Sequence, residues 1–216
     1  MMRTFVTLPL VPDRALPPEF AFDTRFPEVL VELVLREFTR EGDVVFDPFA
    51  GFGTTLIVAE RMGRRPVGIE LDPRHAAYAR ARLRHPDCLI EGDARQLASY
   101  QLPPFDLSLT SPPFTCRGDV EDPLAAYGAP GAGYETYLRG LQDIYRQVCG
   151  LMKPGSRAIL EVANLKRNDQ ITTLAWDVGA AIGGVLHFEG EIIIGWEAPY
   201  GHGYDHSYCL VFSRSS

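Results

Sequence analysis

The sequence predicts an α/β protein built on one doubly wound, mainly parallel seven-stranded sheet, with one antiparallel strand near the edge. Three observations predict it. Short apolar or β-branched runs alternate with helix-length segments five times, as in repeated βα units. The last two runs, 185–196 and 207–212, follow each other with no helix between them, which sets one against the direction of the rest. A glycine turn joins the first run to its helix, and open parallel sheets bind ligands at the carboxyl ends of such strands.

The 216 residues, 46% of them hydrophobic, suffice for one domain with a substantial core, so residues 1–216 read as a single domain. No apolar run is long enough to cross a membrane, and Met1–Thr7 has no signal-peptide pattern, so the cytoplasm is the expected location. The formal net charge of −7 argues against holding nucleic acid by bulk electrostatics and leaves room for a local basic groove. No two of Cys88, Cys116, Cys149 and Cys209 have C-x-x-C spacing, and the histidines are scattered, so no metal is expected.

In chain order, residues 1–22 are proline-rich and without a period, and read as an arm or lid. In Glu28–Phe38, Val29, Leu30, Leu33, Val34 and Phe38 share one helical face. Val44–Phe46 is the first strand and Leu56–Met62 its helix. Pro66–Glu70, Cys88–Glu91 and Phe105–Thr110 are further strands, with Pro73–Leu83 a helix between the first two. Residues 115–133 are irregular and rich in Gly and Pro, long enough to serve as a substrate loop. Tyr134–Met152 carries a continuous apolar stripe and is stopped by Lys153-Pro154-Gly155. Arg157–Val162 is a strand, 164–168 a polar basic loop, and Ile171–Ile182 a helix.

The first candidate site is Asp47-Pro48-Phe49-Ala50-Gly51-Phe52-Gly53-Thr54-Thr55. Gly51 and Gly53 permit a sharp turn and close approach of a ligand to the backbone. Thr54 or Thr55 can cap the following helix. An acid beside this turn repels a pyrophosphate and attracts an ammonium or sulfonium, which favours S-adenosylmethionine; the alternative is a structural turn with a buried Asp cap. Glu70 lies about twenty residues further on, where a ribose-binding acid belongs, with Asp72 the better helix cap. Asp93, also at a strand end, either accepts from an adenine amino group or caps the short helix after it.

The second candidate site is Ser111-Pro112-Pro113-Phe114. Two prolines stiffen the backbone and remove two donors. The Ser111 hydroxyl and Pro112 carbonyl are left as acceptors suited to an exocyclic –NH2, and Phe114 offers a face for a planar base. Arg117, Lys166 and Arg167 are either phosphate contacts or solvated loop charges.

The two motifs together resemble the S-adenosylmethionine-dependent DNA amino-methyltransferases, which methylate N4 of cytosine or N6 of adenine. Ser-Pro-Pro-Phe is most similar to the cytosine N4 subgroup. The resemblance spans Thr24 to about Val162 and implies a Rossmann-like methyltransferase fold. It implies that Asp47, Phe49, Ala50, Gly51, Gly53 and Thr54 line the cofactor's methionine end, and that Glu70 meets its ribose and Asp93 its adenine. Thr24 and Phe26 then lie in the segment that closes over the cofactor, and Ser111, Pro112, Pro113 and Phe114 form the catalytic corner. DNA is favoured over RNA as partner. No large target-recognition domain is expected, so target recognition is either weak or supplied by residues 115–133 and 197–206 or by another subunit, in a homodimer or as a separate specificity subunit. RNA guanine N2-methyltransferases share the motif order and are one rival reading; N6-adenine methylation of DNA is the other.

Overall fold

The computed structural model describes residues 3–10, 16–20, 25–125, 133–200 and 203–214. The strands are β1 (Phe5–Leu8), β2 (Val44–Asp47), β3 (Arg65–Glu70), β4 (Leu89–Glu91), β5 (Phe105–Thr110), β6 (Met152–Val162), β7 (Leu165–Arg167), β8 (Gln170–Thr172), β9 (His187–Trp196) and β10 (His206–Ser213). The α-helices are α1 (Glu28–Phe38), α2 (Thr54–Arg61), α3 (Pro73–Arg80), α4 (Tyr134–Leu151) and α5 (Leu174–Gly183).

The main sheet runs β1-β9-β10-β6-β5-β2-β3-β4. Only β10 runs against its neighbours, pairing antiparallel with both β6 and β9. The doubly wound, mainly parallel class is therefore the one found, with eight strands where the sequence predicts seven. The additional strand is β1, in the stretch expected to be an arm. It pairs in parallel with β9, Phe5 opposite Ile193 and Leu8 opposite Trp196. A pairing across nearly the whole chain leaves no local period to read.

Side chains alternate across β2. Val44 and Phe46 face α4 and α5, where Phe46 stacks on Phe105 at 5.4 Å; Val45 faces α1 and α2 with Leu107 and Ile159. Both faces are buried, which is why these strands read as continuous apolar runs.

Two local expectations need correction. The helix expected from Ile171 begins at Leu174, because Leu165–Arg167 and Gln170–Thr172 form a two-stranded antiparallel hairpin. Its turn residues Asn168 and Asp169 have φ of 49° and 62°, and these are the side chains that tolerate the left-handed region in a two-residue hairpin turn. Neither Thr54 nor Thr55 caps α2; both lie buried in its first turn, and the cap position is Gly53, at φ 79° with no side-chain cap bond.

A Cβ at Gly53 would stand 2.9 Å from the Cβ of Ala79 on α3. Gly53 therefore serves helix packing as well as the turn. Gly53→Ala is expected to cost about 2 kcal/mol through the strained φ and the clash. Urea unfolding with ligand absent is the measurement.

Candidate active site

The carboxyl ends of β2, β3, β5 and β6 open into one cavity of about 1250 Å3. Both motifs line it. Of the residues singled out in the sequence, Phe26, Phe49, Ala50, Gly51, Thr54, Glu70, Asp93, Ser111, Pro112, Pro113 and Phe114 are on its wall. Asp47 and Gly53 are not; they sit behind the wall. Thr24 lies outside the described residues.

The glycine loop is hydrogen-bonded almost entirely to its own protein. The Phe49 N–H donates to Asp47 Oδ1 at 3.0 Å and Gly51 N–H to Glu70 Oε2 at 2.7 Å. Ala50 N–H donates to the Ile69 carbonyl and Gly53 N–H to that of Ala50, both at 2.8 Å. A phosphate site needs such amides free and turned outward. With four of them engaged and carboxylates close by, the loop fits a ligand that brings positive charge. Asp47 itself is 1% exposed, and burial pushes its carboxyl up to about 6. Among the described residues its Oδ2 has no hydrogen-bond partner, while the nearby Thr110 and Thr55 hydroxyls act against the burial.

Glu70 ties the loop to the next strand. Besides Gly51 N–H, it accepts the Asp72 N–H on Oε1 at 2.7 Å. His75 Nδ1 lies 3.8 Å away, its ring tilted on Phe52 at 4.4 Å. Phe20 packs edge-on to both rings, which brings residues 18–20 against the glycine motif. Glu70→Ala is expected to cost about 2–4 kcal/mol of unfolding stability even without ligand, since two charge-assisted hydrogen bonds go with it. Urea denaturation with ligand absent checks this, and an unchanged midpoint would show that the clamp holds nothing.

Asp72 caps α3 by accepting Arg74 N–H at 2.8 Å, as its sequence context predicts. Asp93 does the same for the short helix Ala94–Ser99, accepting Arg95 N–H at 2.8 Å, and Arg95's guanidinium grips both oxygens. The capping alternative is thus present in the structure, with the carboxylate still on the cavity wall.

The Ser-Pro-Pro-Phe corner continues β5. Tyr137 of α4, fully buried, donates its hydroxyl to the Pro113 carbonyl at 2.9 Å. That carbonyl is taken from below, which leaves Ser111 Oγ and the Pro112 carbonyl as the corner's acceptors. Phe114 is 38% exposed at the rim. The chain then folds back: Asp119 accepts the Cys116 N–H at 2.8 Å and pairs with Arg167 of β7. Arg117 pairs with Asp177 at 2.8 Å. Both arginines are therefore engaged in ion pairs of the protein's own. Residues 126–132 of the expected substrate loop lie outside the described residues.

Glu161 is a buried acid on the wall that the sequence reading passed over. Glu161, at the end of β6, is 3% exposed, and its Oε1 accepts the Tyr200 hydroxyl at 2.9 Å. Ser111 and Ser207 also act on its carboxyl, which burial holds above the usual range. An acid ending the apolar run Ala158–Leu160 was the available signal. Among the described residues no group of three or more His, Cys, Asp or Glu is placed to hold a metal ion, and no helix is long and apolar enough to cross a membrane.

Comparison with known proteins follows the same division. Residues 9–81 match the DNA methylase family model for N6 and N4 enzymes. Over 60 residues the chain is 47% identical to the type II methyltransferase M2.DpnII of Streptococcus pneumoniae. It is 40% identical over 60 residues to M2.LlaDCHI of Lactococcus lactis subsp. cremoris. Each match covers 28% of this chain and 22% of the relative, so the chain spans about a fifth of these relatives' length. In fold it is similar to TrmN of Thermus thermophilus, with a TM-score of 0.63 at 20% identity over 92% of this chain and 52% of that one. The type I restriction enzyme EcoKI M protein gives 0.58 at 15% identity, over 91% and 46%. Residues 9–81, about a third of the chain, are thus similar to DNA methylases, and the chain as a whole has the Rossmann-like methyltransferase fold.

Proposed function

We propose that the protein transfers a methyl group from S-adenosylmethionine to the exocyclic amino group of a nucleic-acid base, N4 of cytosine in DNA. The observation that carries this reading is the shared cavity: the acid-backed glycine loop and the Ser-Pro-Pro-Phe corner line one space. The fit to a cationic cofactor rests on the internally satisfied loop amides and on the carboxylates of Glu70, Asp93 and, behind the wall, Asp47.

In this reading Glu70 keeps lone pairs for ribose hydroxyls while its clamp fixes Gly51. Asp93, steadied by Arg95, borders the adenine end, and Phe26, Phe49 and Ala50 enclose the methionine side. Bound S-adenosylmethionine supplies an electrophilic methyl group. The protein's own work is to bring an amine to it in line, and positioning of two reactants contributes most of the rate. A duplex buries N4 in a base pair, so the target base leaves the stack or comes from a single strand. Ser111 Oγ and the Pro112 carbonyl accept the two N–H groups, and Phe114 stacks on the ring. Target selection falls to residues 115–133 and 197–206, to a second copy of the chain or to a specificity subunit.

The test is labelled methyl transfer to DNA and RNA separately, followed by nucleoside mass spectrometry. N4-methyldeoxycytidine is the expected product. N6-methyldeoxyadenosine would move the target to adenine, and label confined to RNA would overturn the DNA assignment.

A further inference from the structure

We infer that Glu161 is a positioning residue for the transfer: its ionised carboxylate accepts a hydrogen bond from the Ser111 hydroxyl and so turns the Ser111 lone pairs toward the substrate amine. This rests on the proposed function and assigns a role to a group that neither motif contains.

The geometry is specific. Ser111 directly follows β5 and Glu161 is the next-to-last residue of its parallel neighbour β6, one step beyond the Thr110–Leu160 pair, and both line the cavity. Glu161 is held from the other side. Tyr200 donates to it at 2.9 Å, and the Tyr200 ring stacks on Trp196 at 4.6 Å and 9°. Trp196 Nε1–H in turn donates to Ser207 Oγ at 3.2 Å, and Ser207 faces the same carboxyl. The groups around Glu161 are thus the hydroxyls of Ser111, Tyr200 and Ser207, with the Cys209 thiol opposite it on β10. Burial and the Glu161 charge push that thiol, and the Tyr200 hydroxyl, well above their usual ranges, so both stay neutral. No cation is among these neighbours, and the hydroxyl donors are what favour the ionised form against burial.

A hydroxyl has one proton and two lone pairs. When Glu161 is ionised, Ser111 donates to it and presents acceptors to an N–H of the amine. When Glu161 is protonated, it donates to Ser111, whose own proton then points at the amine and opposes it. The rate therefore rises with pH as Glu161 ionises. Burial holds that carboxyl above the ordinary glutamate range, so the acid limb lies above that range as well.

Three variants and two readouts test this. Glu161→Gln replaces the acceptor facing Ser111 with a donor. It is expected to lower kcat roughly ten- to hundredfold, the worth of one charge-assisted hydrogen bond, and to remove the acid limb. In a Ser111→Ala background the same change should alter kcat less than about twofold, because the hydroxyl it directs is gone. Tyr200→Phe removes a donor to Glu161 and should move the acid limb to higher pH. Independently of turnover, carboxyl carbon NMR should show Glu161 titrating at higher pH in Ser111→Ala than in the unaltered protein. Multiplicative effects of Glu161→Gln and Ser111→Ala, or identical Glu161 titrations with and without Ser111, would overturn the assignment. If the unaltered protein methylates no nucleic acid, the proposed function fails by itself, and the NMR titration still decides whether Ser111 and Glu161 are coupled.

Discussion

Asp47→Asn is expected to give a protein that is more stable without ligand and poorer at holding S-adenosylmethionine. Asp47 is buried, and its carboxyl is raised from 3.8 to about 6 by that burial. The folded state then binds more protons than the unfolded chain between those values. Stability contributed through this group is greatest below about pH 4, falls as pH rises through about 6, and stays low above it. The loss at neutral pH is about 3 kcal/mol, from a shift of roughly two units. Asparagine is neutral, keeps an oxygen for the Phe49 N–H, and brings an –NH2 to the Thr55 and Thr110 hydroxyls. Urea unfolding at pH 7 should favour Asp47→Asn by up to that amount, with the two proteins converging near pH 4. Calorimetry should show S-adenosylmethionine bound roughly ten- to hundredfold more weakly, the scale of one partly screened charge pair. Equal affinities would remove Asp47 from the cofactor's electrostatics; equal stabilities at pH 7 would show the carboxylate is not a strained buried charge.

Phe114→Ala is expected to cut kcat/KM for the nucleic acid by roughly ten- to hundredfold, since stacking on one aromatic is worth about 1–3 kcal/mol per base. Phe114 stands at the rim, 38% exposed, so its removal leaves the core and the glycine loop intact. Cofactor affinity should not change, and Phe114→Trp should recover most of the rate by restoring a flat face. Full activity in Phe114→Ala would withdraw the stacking role and leave Ser111 and Pro112 to orient the base without it.

The sequence carried the positions of the strand-end acids better than their partners. Asp47, Glu70 and Asp93 could be placed because each follows a short apolar run and precedes a helix. What each oxygen does depends on amides brought in from other turns: Glu70 clamps Gly51 across 19 residues, and no periodicity reports that bond. Glu161 obeyed the same rule and was passed over, since the run it ends reads as core and its partners, Tyr200 and Ser207, come from the far end of the chain. Strand β1 was illegible for a similar reason, its partner being nearly two hundred positions away. The β7–β8 hairpin was legible: Asn168-Asp169 between two short runs is a turn signal, overridden by a helical reading of the residues after it.

Strand β1 has a practical consequence. It covers the outer edge of β9, and a few residues later the same stretch places Leu10 and Leu16 on the cavity wall and Phe20 against Phe52. An uncovered β9 would present bare main-chain groups along a mostly apolar flank, an adhesive margin toward other sheets. Displacing Phe5–Leu8 from β9 would therefore disturb solubility and ligand retention together.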